Sequence, residues 1–370
     1  MKFTCEKALL SGAIATVSRT VAPKSAIPAL EGILVRAGMK LNLSGYNLET
    51  GVTATLDADI RDSGDCVMPA RLFFDIVRKL PDDMVTITVD EKFKVSISCG
   101  ISSFTFTAMS AEDYPELPDV EFENAIHLPQ QELKKLISGT LFSASENMAR
   151  PIHTGCKFEV AEDSITCVAV DGYRMALRRF FPEEPTGRTA SFVVPGSGLK
   201  EVERILGDTD EDASFTLGSK HILFETEGVS VVCRLLEGEF LDWKRVLPTG
   251  SPIRLTGKVS EIEDCLDRVG LVITEKVKSP VRCVFSQNRA DFTTNSTIGT
   301  AHDECALAGD GQELEIGFNC RYLLDAFRAV PDEETVLELS NSLSPIVLTP
   351  CDGSGRYAYM VLPVRMQQGG

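Results

Sequence analysis

Arg71-Leu72-Phe73-Phe74-Asp75-Ile76-Val77-Arg78 and Arg321-Tyr322-Leu323-Leu324-Asp325-Ala326-Phe327-Arg328 are two copies of one pattern 250 positions apart, with both arginines and the aspartate in register. A weaker third copy, Ser197-Gly198-Leu199-Lys200-Glu201-Val202-Glu203-Arg204, lies near the midpoint; Glu201 stands in for the acid and the closing arginine is kept. Repetition at a fixed period decides the architecture before any local motif is weighed, because each repeat is one structural unit and its surfaces are presented several times. Three copies divide the 370 residues into three similar units.

Each unit reads outward from this helix as helix, strands, helix, strands. In the first, residues 6–21 carry a helical apolar pattern (Leu9, Leu10, Ala13, Val17), followed by strand-like runs at 32–36, 40–44 and 51–56. The helix holding Arg71 and Arg78 comes next, then strands at 85–88, 94–98 and 103–107. The second unit opens with a helix over 130–145 and has its second helix at 199–206. The third has helices at 261–273 and 320–330 and a closing strand at 357–362. The joints Asp113-Tyr114-Pro115-Glu116-Leu117-Pro118 and Asp242-Trp243-Lys244-Arg245-Val246-Leu247-Pro248 also repeat, and read as short extended linkers because proline ends the preceding strand. The expected domains are 1–120, 121–248 and 249–370, in an α+β fold with antiparallel sheets and helices on one face.

Composition bounds the function. Apolar residues at 43% and charged residues at 25% are those of a globular protein, and the length exceeds what one ordinary core serves. The N-terminus Met1-Lys2-Phe3-Thr4-Cys5-Glu6 lacks a secretory pattern, and the helical pattern never reaches the roughly 18 apolar residues of a membrane span, so a cytoplasmic protein is expected. Eleven cysteines are spread singly with no C-x-x-C pair, as reduced core thiols are. The formal charge of -17 argues against a broad basic face for nucleic acid, yet the acids cluster in apparent loops (Asp208-Thr209-Asp210-Glu211-Asp212) while helices carry the arginines.

The local motifs are weak. Pro195-Gly196-Ser197-Gly198 lacks the remainder of any phosphate-binding fingerprint and reads as a plain turn. The four histidines stand at no metal-ligand spacing, so no metal, cofactor or catalytic triad is expected. The repeated helix says more. Arg71 and Arg78 are two turns apart and share a face, while Phe73, Phe74 and Val77 turn towards the sheet; Arg321 and Arg328 copy them. Either these arginines form local pairs with Asp75 and Asp325, or they face one shared space and make it basic. Phe104 and Phe106 lie in the last strand of the first unit, a poor place for exposed aromatics unless a second copy covers them.

The triple repeat, the joint at Asp242 to Pro248, the segment Val170-Asp171-Gly172-Tyr173-Arg174-Met175-Ala176-Leu177 and the tail Met360-Val361-Leu362-Pro363-Val364-Arg365-Met366 together resemble the bacterial DNA polymerase III β subunit family, the sliding clamps. The resemblance spans the whole chain. It implies three tandem domains of the DNA clamp fold, two helices of each facing a central channel, and a head-to-tail homodimer closed into a ring around duplex DNA. For that closure Phe104 and Phe106 of one copy are expected to pack against Leu271 and Val272 of the other. It implies no catalysis: the ring tethers the replicative polymerase catalytic subunit and receives the clamp loader and other proteins bearing a clamp-binding motif. The family's lining positions carry over onto Lys24, Arg71, Arg78, Asn147, Arg150 and Arg204, with Arg321 and Arg328 added from the internal repeat. Gly196-Ser197-Gly198 departs from the basic start expected of a lining helix. The family's peptide groove carries over onto His153, Val170, Gly172, Tyr173, Arg174, Met175, Leu241, Arg245, Val246, Met360, Val361, Leu362, Pro363, Val364 and Arg365, with Tyr173 and Leu241 in place of the expected His and Pro. Methionines there suit varied apolar ligands, and the flanking arginines are expected to orient a peptide. The competing functions are an acidic cytosolic enzyme or a scaffold with its site in the same groove.

Overall fold

The computed structural model describes residues 1–120, 125–273 and 279–366, and these gather into two compact units. One holds the described residues of Met1–Lys134 together with Ser197–Leu235; the other holds Lys135–Gly196 and the described residues from Leu236 onward. Among the described residues there are seven α-helices: α1 (Lys7–Ser18), α2 (Ala70–Lys79), α3 (Gln130–Leu141), α4 (Gly196–Ile205), α5 (Trp243–Val246), α6 (Val259–Gly270) and α7 (Cys320–Arg328). None is long and apolar enough to cross a membrane.

In the first unit a five-stranded antiparallel sheet runs Asp59–Asp62, Lys2–Glu6, Met84–Val89, Lys94–Cys99, Ser102–Thr107. An eight-stranded sheet runs Ile126–Pro129, Asp212–Leu217, His221–Thr226, Val229–Arg234, Thr50–Leu56, Leu41–Tyr46, Gly32–Ala37, Gly64–Pro69. Alternation makes these strands: Val95, Ile97 and Cys99 are buried while Lys94, Ser96 and Ser98 are exposed. Helix α1 buries Leu10, Ala13, Ile14 and Val17, the stripe that helical periodicity places on one face. It packs on strands Leu41–Tyr46 and Thr50–Leu56, and Gly45 permits that approach, since a Cβ there would lie 2.1 Å from the Val17 carbonyl oxygen.

In the second unit a nine-stranded sheet runs Ala190–Pro195, Gly155–Ala161, Ser164–Val170, Arg174–Phe180, Tyr357–Val361, Ile346–Thr349, Glu334–Leu339, Ile253–Lys258, Ala308–Asp310. A four-stranded sheet runs Thr300–Ala306, Arg289–Asn295, Val281–Phe285, Leu314–Phe318. Ile262, Leu266 and Val269 of α6 and Leu323 and Phe327 of α7 close over a core that includes Phe285, Phe292, Phe318, Tyr357 and Tyr359.

Both large sheets run through the expected joints. Val229–Arg234 pairs with Thr50–Leu56, and Arg174–Phe180 pairs with Tyr357–Val361, so the strands of the expected middle domain are shared between the two units. Ladder hydrogen bonds between modules satisfy edges that three separate sheets would leave open.

Several local expectations change. The turn expected at Gly196-Ser197-Gly198 is instead the first turn of α4, which starts three residues before the predicted helix. The glycines are demanded by packing: a Cβ on Gly198 would meet the Cys233 sulfur at 2.4 Å, and one on Gly196 the Thr154 carbonyl oxygen at 2.7 Å. The joint at Asp242 to Pro248 is not extended but carries the single turn α5, because Trp243 is drawn into the core and is only 4% exposed. Phe74 is half-buried rather than turned fully inward. Ten cysteines are buried and Cys351 is exposed, all free. Burial pushes the Cys66, Cys233 and Cys305 thiols up to about 12, which leaves them unreactive.

Candidate functional site

Helix α2 buries Ala70, Phe73, Ile76 and Val77 and leaves Arg71 and Arg78 exposed on the opposite side. The Arg78 guanidinium stacks 5.3 Å above the Phe74 ring and donates from Nη2 to Asp75 Oδ1 at 3.3 Å, one of the two local pairs weighed from the sequence. Lys24 is exposed in the segment after α1. Arg204 of α4 donates to Glu201, whose other oxygen accepts from Arg19 Nε at 2.7 Å. The acid of the degraded repeat therefore holds two arginines, and Arg204 is only half free.

In the second unit, Asn319 caps α7 by accepting from the Tyr322 backbone N–H at 3.3 Å, and Arg321 and Arg328 are exposed above buried Leu323, Leu324, Ala326 and Phe327. Local pairing with Asp325, one of the two alternatives open from the sequence, is not what forms. Arg328 Nη2 donates to both oxygens of Asp267 on α6, at 2.9 and 2.8 Å, while Asp325 accepts from Arg174 Nη1 at 2.7 Å. Two turns of α6 also carry Glu263 and Asp264. Burial raises the Glu263 carboxyl and its acidic neighbours push the same way, against Arg328. Asn147 and Arg150 lie exposed after α3, where Asn147 Oδ1 accepts from the Ala149 backbone N–H at 2.9 Å.

The second candidate site is built on the pairing of Arg174–Phe180 with Tyr357–Val361, in which Met175 lies opposite Met360. Val168, Val170, Met175, Leu177, Val193, Phe240, Trp243, Val347 and Met360 form one apolar cluster, with Ile152 and Leu362 at its margin. His153 adds an edge-on contact to Phe240 at 5.4 Å; burial lowers its pKa, with the Arg150 charge acting in the same direction. Above the cluster, Tyr173, Leu241 and Val246 are exposed large apolar residues, 61%, 40% and 36% accessible. Gly172 has φ +93°, a left-handed conformation that suits glycine, and it turns the chain so that Asp171 Oδ1 accepts from the Tyr173 and Arg174 backbone N–H groups. The Leu362 N–H in turn donates to the Tyr173 carbonyl at 2.9 Å.

Not every expected residue joins this cluster. The Val361 side chain is fully buried in the core on the opposite sheet face, because neighbouring strand residues alternate. Arg174 is turned away and held: Nε donates to Asp171 at 2.9 Å, Nη1 goes to Asp325, and its guanidinium lies 4.3 Å above the Tyr322 ring. Only 11% of its side chain is exposed, so the expected role of this arginine in orienting a peptide is not supported by its geometry. Arg245 is exposed but pairs with Asp242 at 3.0 Å. Val364 and Arg365 line a different cleft of about 970 Å³ with Arg321, Tyr322, Asp325 and Arg328, and Pro363 is half-buried beside them in the chain. The sequence reading missed Phe240, Trp243 and Glu159 as parts of this site, although the lone tryptophan was a usable signal.

Ser102–Thr107 is an edge strand, with Phe104 39% exposed and Phe106 half-buried. Leu271, just after α6, is 81% exposed and Val272 half-buried. One trio of possible metal ligands comes together among the described residues, Asp291, His302 and Glu304 on neighbouring strands. Arg289 already pairs with Asp291 at 3.0 Å and with Glu304 at 3.5 Å.

Comparison with known proteins gives the same outline. Three family models match in series: the N-terminal domain of the DNA polymerase III beta subunit over residues 1–118, its central domain over 127–242 and its C-terminal domain over 244–365. A beta sliding clamp of Staphylococcus epidermidis is 28% identical over 376 aligned residues, covering 99% of each chain. A solved chain from Eubacterium rectale, provisionally described as a DNA polymerase III beta subunit, superposes with a TM-score of 0.94 at 32% identity, covering 99% of this chain and 100% of its own. The Bacillus subtilis DNA polymerase sliding clamp gives the same TM-score at 28% identity, with 99% and 100% coverage. With its repeated arginine helices, its shared antiparallel sheets and matches along nearly its full length, this chain belongs to the DNA polymerase III beta subunit family, the beta sliding clamps.

Proposed function

We propose that two copies of this chain close head to tail into a ring around duplex DNA, with three modules per copy divided near residues 120 and 248. The family is a non-catalytic one, the processivity clamp of DNA polymerase III, and this sets aside the reading of an enzyme at the groove. In the proposed ring, Lys24, Arg71, Arg78, Asn147, Arg150, Arg204, Arg321 and Arg328 meet phosphates without reading sequence. Such contacts suit sliding, since they hold the backbone and carry no base information. Phe104 and Phe106 on one copy pack against Leu271 and Val272 on the other.

The apolar cluster around Met175 and Met360, rimmed by Tyr173, Leu241 and Val246, takes short peptides from the polymerase catalytic subunit, the clamp loader and other proteins of the replication machinery. The observation that carries the reading is the twofold recurrence of an exposed arginine pair over a buried apolar face, on α2 and on α7. A protein acting through topology is retained on a nicked circular plasmid after loading and is lost when that plasmid is linearised. Equal retention on circular and linear DNA would rule the ring out.

A further inference from the structure

The lip of the proposed groove is a structure that does not hold itself. Leu241, Arg245 and Val246 sit on or beside α5, a helix of one turn, and its N-cap residue Asp242 makes no side-chain cap hydrogen bond. One turn nucleates poorly in water, because its ordering entropy is offset by too few hydrogen bonds. What holds α5 is its first residue. Trp243 is 4% exposed within the same apolar cluster as Met175 and Met360, and its indole Nε1 donates to Glu159 Oε1 at 3.1 Å. Glu159 lies on strand Gly155–Ala161, and its carboxylate also takes Lys157 at 2.8 Å and Lys244 of α5 at 3.1 Å. The Lys244 ammonium in turn stands 5.2 Å above the Trp243 ring. One carboxylate, 21% exposed, therefore holds α5 at two points, by the indole N–H and by the ammonium that follows it.

We propose that Glu159 is a positioning residue of the peptide groove: through Trp243 it fixes α5, and so sets where Leu241 and Val246 stand over the methionine floor. Nothing in this role requires Glu159 to touch the peptide. The inference rests on the reading of this cluster as a peptide groove.

Trp243 is the single tryptophan, so its emission reports this link directly. The probe is a fluorescein-labelled hexapeptide carrying an adjacent Leu-Phe pair, whose side chains match an apolar, methionine-lined pocket. The full-length protein is titrated by anisotropy as wild type, Glu159→Gln, Glu159→Leu and Trp243→Phe. Glu159→Gln keeps an acceptor for the indole but loses the charge that holds Lys244, and should bind more weakly than wild type and more tightly than Glu159→Leu. Glu159→Leu leaves a buried N–H without a partner and should bind about tenfold more weakly, with a shifted Trp243 emission maximum and greater acrylamide quenching. Trp243→Phe should weaken binding to a similar degree, and the double variant should be no weaker than the weaker single one, because both remove the same link.

Wild-type affinity in Glu159→Leu, or full additivity in the double variant, overturns the proposal. If Glu159→Leu does not fold, Trp243→Phe at wild-type affinity overturns it equally. A wild-type protein that ignores the peptide refutes the groove itself, which is a distinguishable failure.

Discussion

Replacing Asp267 by asparagine removes the carboxylate that holds Arg328, and the structure sets the size of the expected effect. Both oxygens of Asp267 accept from Arg328 Nη2, at 2.9 and 2.8 Å, and the two side chains are 51% and 52% exposed. An ion pair that open to solvent contributes at most about 1 kcal/mol, so the substitution should leave the fold intact. Under the proposed ring its effect on DNA should be larger. A phosphate competes with a carboxylate for Arg328 in the wild type, and only with a neutral amide in the variant. Each phosphate contact is worth about 0.9 in the slope of log affinity against log salt, so freeing Arg328 in both copies of the proposed ring adds at most about 1.8. Raising salt fourfold, from about 50 to 200 mM, should then cost the variant up to about 12-fold more affinity than the wild type, less whatever Arg328 already contributes there. The assay is anisotropy of a short labelled duplex over that range, with Arg328→Gln and the double variant alongside. Arg328→Gln should lower the slope, and the double variant should match Arg328→Gln. An unchanged slope in Asp267→Asn refutes the competition between acid and phosphate; an unchanged slope in Arg328→Gln removes Arg328 from the DNA.

Four further outcomes follow from the structure. Phe104→Asp places a charge on an edge strand where the residue is 39% exposed, and should convert the proposed dimer to monomer in sedimentation velocity; an unaltered dimer removes Phe104 from the interface. Gly45→Ala drives a Cβ to 2.1 Å from the Val17 carbonyl oxygen and should cost about 1–3 kcal/mol in urea unfolding, as overpacking does. Gly12→Ala within α1 meets nothing within 4 Å and should instead stabilise by about 0.5–1 kcal/mol, so equal midpoints for the two variants contradict the packing argument. Burial raises the Glu159 carboxyl, but hydrogen bonds from Lys157, Lys244 and Trp243 outweigh it and leave the group below the ordinary glutamate value. A carboxyl depressed in the folded state stabilises above its unfolded pKa and loses that contribution as pH falls through the folded one. Trp243 emission should therefore hold steady through neutral pH and change only below the ordinary glutamate range of about 4.3; a transition near pH 6 contradicts the assignment.

What was legible in the chain was what repeats or alternates. The arginine helices announce themselves by register, and Phe73 and Val77, or Leu323 and Phe327, are buried as their spacing requires. Alternation also held a warning for the groove. Met360 and Leu362 share one sheet face and Val361 the other, so a run of consecutive residues could not all line one surface. Partners that are distant in sequence were not legible. Arg174 meets Asp325 across 151 positions and Arg328 meets Asp267 across 61, and no local pattern contains such pairs. The glycines opening α4 look like a turn because glycine usually is one; the Cys233 sulfur and Thr154 carbonyl that exclude a side chain are set by the fold.

These distant pairs change the electrostatic reading of a chain with formal charge -17. The sequence suggested acids in loops and arginines on helices, a simple segregation. In the structure α6 itself is acidic, and of the repeated arginines Arg78, Arg204 and Arg328 each already contact a carboxylate. Around the apolar cluster the same holds for Arg174, Arg245, Lys157 and Lys244. Cations so matched lend little net field at long range but can exchange one anion for another at contact. For the proposed ring that means weak holding of the duplex at each site, with retention left to closure. For the proposed groove it means that apolar fit over Met175 and Met360, rather than charge, selects the peptide.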